Sequence, residues 1–312
     1  MPKKKYELFV EVFKKWTKKY KLKVNDIRRD NRIDSRAAWD ENTKICKLEM
    51  QWDKNVATIS VEDDSPEGFK DIRDAFTLFA PTYKRKDPTK RGRFNIGEKQ
   101  AISICDEASI QTTKGTIHFN REGRIESRSK RPVGSKISVT LKMTKAEFDE
   151  TLDYAKKYLV PKGLKFLVNG KEIKRRKIYK TFKASLQTEI EDNSILKKTH
   201  RITDVNILET EDESYLYEMG IPVMKIDCAY DVDVQQRIPL STDRNTVPTP
   251  YLSVLYAEVL NVTFDEISEE DSSDVWIREA TANKKISDEA IIAITDKRFG
   301  KNKAFANPFD QN

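Results

Sequence analysis

The chain has 312 residues, 38% of them hydrophobic and 35% charged. That length supports two modest domains with buried cores, and the composition leaves no run of the ~20 apolar residues that a membrane span requires. Three cysteines, Cys46, Cys105 and Cys228, are odd in number and far apart, which argues against a disulfide framework or a cysteine zinc cluster and fits a reducing cytoplasm.

The net charge of +7 is concentrated in one place. Nine lysines face only Glu7 and Glu11 within residues 1–24, so that segment holds the whole excess and the rest of the chain is balanced. The usual inference from a basic protein to nucleic acid therefore narrows to this arm. Phe9, Phe13, Trp16 and Tyr20 recur in it at helical spacing, so residues 5–20 read as an amphipathic helix. Such a helix either packs on its own core or meets a partner chain or nucleic acid. The lysine-rich start lacks an apolar stretch and a small-residue cleavage site, so no secretory signal is read.

Two strand-like runs, 45–50 and 56–61, flank Asp53-Lys-Asn and predict a hairpin. Residues 70–80 read as a helix, and 81–91 as a polar, basic loop. A second helix is expected to open near Glu98, followed by strands at 109–113, 116–120 and 136–143. Thr144-Lys-Ala-Glu147 has the form of a capping box, opening a helix with Phe148, Leu152, Ala155 and Leu159 on one face. Pro161-Lys-Gly163 is the best domain boundary. Beyond it, Asn169-Gly170 signals a hairpin between 165–168 and 172–178, with further strands over 203–209, 214–219 and 221–237 and a helix near 250–260. Asp265–Asp274 holds six acids and no base and reads as a solvated linker.

The chemistry concentrates in 61–97. Only ten glycines occur in the whole chain, and Gly68, Gly92 and Gly97 all fall in this window. Glycine beside a helix N-terminus lets backbone N–H groups approach phosphate oxygens, and the helix dipole favours the negative charge. Gly92-Arg93-Phe94-Asn95-Ile-Gly97 lacks the Gly-Lys-Ser/Thr of a Walker loop, and the basic loop before it does not suit a Rossmann fingerprint.

In order and in residues, this window resembles the GHKL ATPase superfamily, which includes gyrase, MutL and the histidine kinases. Val61-Glu-Asp63-Asp-Ser-Pro-Glu-Gly68 looks like the family's D-x-G-x-G box, with Ser65 where the first glycine is expected. The resemblance makes Asp63, or alternatively Asp64, the acceptor for the adenine amino group. Gly92–Gly97 looks like the G-x-F-G-x-G box with Asn95 at the middle glycine, which Asn tolerates in a left-handed backbone. Lys99 is then placed for the phosphates, against the alternative of a solvated helix lysine, and 81–91 becomes the ATP lid. Val133-Gly134-Ser135 resembles the Gly-Thr pair that touches adenine.

The family's first box, E-x-x-x-N-x-x-D, fits in two registers. One aligns Asp40 with its Asp and puts Ile33 and Ala37 at the catalytic and magnesium positions, so both functions are lost. The other makes Asp30 the base and Asp34 the metal ligand. Arg244, in a run resembling the element that reaches the γ-phosphate from the family's second domain, is the candidate sensor.

The resemblance implies an α+β fold: a GHKL (Bergerat) α/β sandwich at 25–160, then a ribosomal S5-like transducer domain at 161–262, with the arm at 1–24 and an acidic linker and helical tail at 263–312. It implies ATP and Mg2+ as cofactors, a homodimer formed on ATP binding, and a separate effector subunit. The activity it implies is slow ATP hydrolysis; the alternative is a catalytically degenerate nucleotide sensor.

Overall fold

The computed structural model describes residues 43–66, 69, 71–77, 84, 86–90, 97–192, 195–210, 212–240 and 246–302. Their architecture is α+β, with two β-sheets that each carry helices. The expected helix at 5–20 lies outside the described residues.

The first sheet opens with the hairpin β1 (Ile45–Asp53) and β2 (Val56–Asp63). Lys54 and Asn55 at its turn both have positive φ, the requirement of a type I′ turn that matches the strands' twist. A 3-10 turn at Ile72–Ala75 precedes α1 (Gly97–Ile104). The described part of 70–80 thus holds 3-10 geometry where an α-helix was expected. Strands β3 (Glu107–Gln111), β4 (Thr116–Asn120), β5 (Gly123–Ser127) and β6 (Lys136–Lys142) follow. Helix α2 (Lys145–Lys156) starts with the expected capping box, in which Thr144 and Glu147 each bond the other's backbone. It crosses over to β7 (Lys165–Val168), which lies parallel to β1 and turns through Asn169-Gly170 into the two-residue β8 (Lys171–Glu172). The order is β5-β4-β3-β6-β2-β1-β7-β8, so the first sheet continues past Pro161 to Glu172. Alternation puts Leu48, Met50, Ile59, Val61, Ile110, Ile117, Val139 and Leu141 on a buried face, where they join Ile102, Phe148 and Ala155 from the helices. Each such side chain contributes about 1.5–3 kcal/mol when buried.

The second sheet, ordered β12-β11-β13-β10-β9, is built on a long hairpin of β9 (Lys180–Asp192) and β10 (Ile195–Glu209). The expected strand at 221–237 is two, β12 (Ile221–Lys225) and β13 (Tyr230–Val234), on either side of β11 (Tyr215–Glu218), with β13 and β11 parallel. Helices α3 (Thr249–Thr263), α4 (Val275–Thr281) and α5 (Asp288–Phe299) form the second core with it through Leu255, Leu260, Trp276, Ile277 and Ile294. The acidic segment at 265–274 is a pinned turn. Ile267 and Ser272 are buried in it, and Lys297 Nζ donates to the carbonyls of Phe264, Asp265 and Ile267 at 2.7–2.9 Å.

The two sheets meet where the end of α2 packs on the β11–β12 turn. Leu159 N–H donates to Gly220 O at 2.8 Å, and Tyr154 Oη donates to Pro222 O. Gly220, at φ +85°, leaves only 2.5 Å between its missing Cβ and Leu159 O, so this seam accepts no side chain there.

Candidate functional site

β2 ends at Asp63, beside the residues that lead into its antiparallel neighbour β6. Asp63 N–H donates to Ser135 O, and Gly134 N–H to Ser65 O, both at 2.9 Å. Gly134 has φ +69°, and a Cβ built on it would stand 1.8 Å from Asp63 O. A glycine here lets the 133–135 loop press directly on the acidic turn. Ser135 is buried beneath it.

The two candidate aspartates separate by what their carboxylates do. Asp64 Oδ1 accepts from Lys44 N–H at 2.8 Å and Ile45 N–H at 2.9 Å, which pins the start of β1. Asp63 Oδ1 accepts from Ser65 N–H within its own turn, at 2.9 Å. Burial pushes the Asp63 carboxyl above its ordinary value, opposed by the N–H groups of Ser65 and Ser135. Asp64 thus braces β1 through Oδ1, and Asp63, also half-buried, turns its Oδ1 to its own turn. Glu62, on the same rim, pairs with Arg131 at 3.1 Å.

Gly97 is the first residue of α1 and Lys99 the third. Lys99 is 1% exposed, which excludes the solvated helix lysine.

The basic loop lies against the second sheet. Asp87 Oδ1 accepts from both the N–H and the hydroxyl of Thr89, at 2.8 and 2.6 Å, and Pro88 is buried. Burial raises the Asp87 carboxyl, but the Thr89 bonds and the charges of Lys90 and of Arg201 on β10 outweigh it and leave the group below its usual range. Arg237, just beyond β13, donates to the carbonyls of Lys84 and Lys90 on this loop.

Of the residues singled out from sequence, Asp63 and Ser135 are brought together, and Gly97 and Lys99 share the first turn of α1. Asp30, Asp34, Asp40, Gly68, Gly92, Arg93, Phe94, Asn95 and Arg244 lie outside the described residues. Among the described residues no group of three or more His, Cys, Asp or Glu side chains could hold a metal. Sequence reasoning missed Arg237. Its only trace was a polar Gln-Gln-Arg run directly after a strand.

A cavity of about 50 Å³ lies between the sheet and helices α1 and α2, lined by Leu48, Met50, Ile59, Leu141 and Cys105 among others. It sits at Met50↔Ile59, well along the strands from the Cys46↔Asp63 pair, and its lining offers no charged group. It is a packing void in the core, distinct from the polar end at Asp63. Cys46 and Cys228 are buried and Cys105 half-buried, and none is in a disulfide; burial pushes the Cys228 thiol up to about 12. No helix among the described residues is long and apolar enough to cross a membrane.

No protein-family model and no curated protein matches the chain. In solved structures it is similar to the ATPase region of Saccharomyces cerevisiae topoisomerase II, at 12% identity and a TM-score of 0.44, over 72% of this chain and 78% of that one. The same region bound to ICRF-187 (dexrazoxane) is similar at 12% identity and a TM-score of 0.42, over 77% of this chain and 85% of that one. Both are distant likenesses that assign no residue a role.

Proposed function

We propose that this chain is an ATP-binding protein of GHKL type, with adenine at the Asp63 end of the first sheet and phosphates at the first turn of α1. The observation that carries the reading is the division of labour at 63–64. Asp64 braces β1, while Asp63 is held half-buried against Gly134 and Ser135, raised by burial and steadied by backbone N–H groups. A carboxylate so placed can accept a hydrogen bond from an exocyclic amino group. Lys99 would hold phosphate oxygens by charge, with the N–H groups of the glycine-flanked turn adding the helix dipole. The 81–91 loop would close over them.

The residues that would hold Mg2+ and activate water, Asp34 and Asp30 in one register, are assigned from sequence alone. The ion, when bound, would neutralise charge on the phosphates. Arg244 as γ-phosphate sensor, a transducer resembling S5 built on the second sheet, dimerisation through the arm, contact of that arm with nucleic acid, a separate effector subunit and a cytoplasmic location complete the reading. The degenerate alternative is favoured by one observation, that the register matching Asp40 puts Ile33 and Ala37 where the base and metal ligand belong.

Isothermal titration with a non-hydrolysable ATP analogue tests the core of the proposal. Wild type binds, and Asp63→Ala loses at least about tenfold in affinity, as expected when a charge-assisted hydrogen bond is removed. No binding by wild type, or unchanged binding in Asp63→Ala, refutes it. Single-turnover hydrolysis then separates the enzyme from the sensor: turnover lost in Asp30→Ala or Asp34→Ala supports the enzyme, and binding without turnover supports the sensor.

A further inference from the structure

We propose that residues 171–178, which join the two sheets, form a docking strip for an extended acidic segment of a partner protein, taken up as an added strand. The strip does not depend on nucleotide.

The chain beyond residue 24 is balanced in charge as a whole, yet residues 156–183 hold eleven lysines and arginines against a single acid, Glu172. Six of the eleven are engaged within the fold, Lys165 with Glu172, Arg176 with Asp231 and Lys180 with Glu266 among them. Lys162, Lys171, Lys174, Arg175 and Lys177 are all exposed and make no ion pair among the described residues. Four of these five cations fall within the strip itself.

The backbone of the strip is open as well. β8 is the outermost strand of the first sheet, and just beyond it Ile173 N–H donates to Phe166 O at 2.9 Å. The next main-chain bond is already to the second sheet, from Tyr179 N–H to Ile207 O at 2.8 Å. Between the two, residues 174–178 run without helix, turn or bend and make no main-chain hydrogen bond among the described residues. Arg176 holds the middle of the stretch, with Nη1 donating to Asp231 Oδ2 and Nη2 to Glu209 O, both at 2.5 Å. The strip is therefore fixed at its ends and at its centre, so that on docking only the incoming segment has to be ordered. Unpaired N–H and C=O groups along an edge are a template for a further strand, and the cations beside them select a partner with acidic side chains.

Two features favour a polypeptide over nucleic acid. Phosphates carry no N–H for the free carbonyls of the strip, whereas a peptide main chain supplies both donors and acceptors. The strip is also short. Lys180 closes it at 2.9 Å from Glu266, the nearest described member of the six acids in the pinned turn at 265–274. A duplex running on past Lys177 would meet that acidic turn, while a strand no longer than the strip ends before it.

Fluorescence anisotropy with the full chain and a short labelled peptide alternating Glu with Val or Thr tests the proposal. Wild type binds the peptide, and Lys174→Glu/Arg175→Glu/Lys177→Glu weakens binding at least about tenfold, with the matching triple Gln variant in between. The same peptide N-methylated at alternate amides keeps its charge but cannot pair as a strand, and wild type binds it at least about tenfold more weakly. Reversing Lys14, Lys15 and Lys18 in the arm leaves peptide affinity unchanged. An unchanged thermal melt certifies the fold of each variant, and if the triple Glu variant does not fold the Gln variant decides. No binding by wild type, a loss that follows the arm instead of the strip, or equal affinity for the N-methylated peptide overturns the proposal. Duplex DNA of equal charge that binds more tightly than the peptide, and is lost in the same strip variants, overturns it in favour of nucleic acid. Sedimentation that shows self-association abolished in the strip variants, with no peptide binding, overturns it in favour of a second copy.

Discussion

Asp63 carries a penalty when the site is empty, because burial disfavours its charged form more than the N–H groups of Ser65 and Ser135 restore it. The sign of the linkage follows. A carboxyl raised in the folded state adds stability below its unfolded pKa, and that stability is lost as pH rises through the folded value. At pH 7 Asp63→Asn, which keeps an oxygen for Ser65 N–H, is therefore at least as stable as wild type while binding nucleotide more weakly. Its advantage shrinks as pH falls through the raised pKa. Thermal melts from pH 4 to 8 check this, and an Asn variant that melts clearly below wild type at pH 7 contradicts it. Asp64 differs in its partners, since its carboxylate accepts from two backbone N–H groups at the start of β1. That contrast was illegible in the sequence, where two adjacent aspartates are equivalent and only the path of residues 44–45 tells them apart.

At the scale of elements, signals of local chemistry were the readable ones. The Thr144–Glu147 box and the Asn169-Gly170 turn both formed where expected, because each is decided by bonds or φ angles within a few residues. Thr144→Ala costs about 1 kcal/mol, the usual loss for an N-cap, and leaves nucleotide binding unchanged because Thr144 follows β6 at the end opposite Asp63 and Ser135. Denaturant titration measures the first and calorimetry the second; a stability loss below a few tenths of a kcal/mol contradicts the capping role. Strand β9 was missed because its inward residues, Phe182, Ala184, Leu186, Thr188 and Ile190, include small and polar ones, which weakens the apolar alternation. Its stability comes from pairing with β10 along its length, a tertiary fact.

Over the whole molecule, the α+β class came from the resemblance, and several strands and turns of the first sheet were legible in alternation and turn signals, whereas the order of the strands and the link between the sheets were not. Arg237 and Lys90 are 147 residues apart, and no local pattern announces their bond. The sequence pointed instead to Arg244, by resemblance, for the residue that connects the second domain to the nucleotide. The central claim is that Asp63 reads an adenine amino group, and base discrimination tests it most directly. Guanine presents a carbonyl oxygen where adenine has its amino group, so a carboxylate acceptor would face a second acceptor. Calorimetric titration of wild type with ATP and with GTP is predicted to show a preference for ATP of at least about 100-fold, as expected for a site built on a hydrogen bond that the wrong ligand cannot make. Asp63→Asn is predicted to lose most of that preference. Equal affinity for the two nucleotides, or a preference unchanged in Asp63→Asn, would contradict the account.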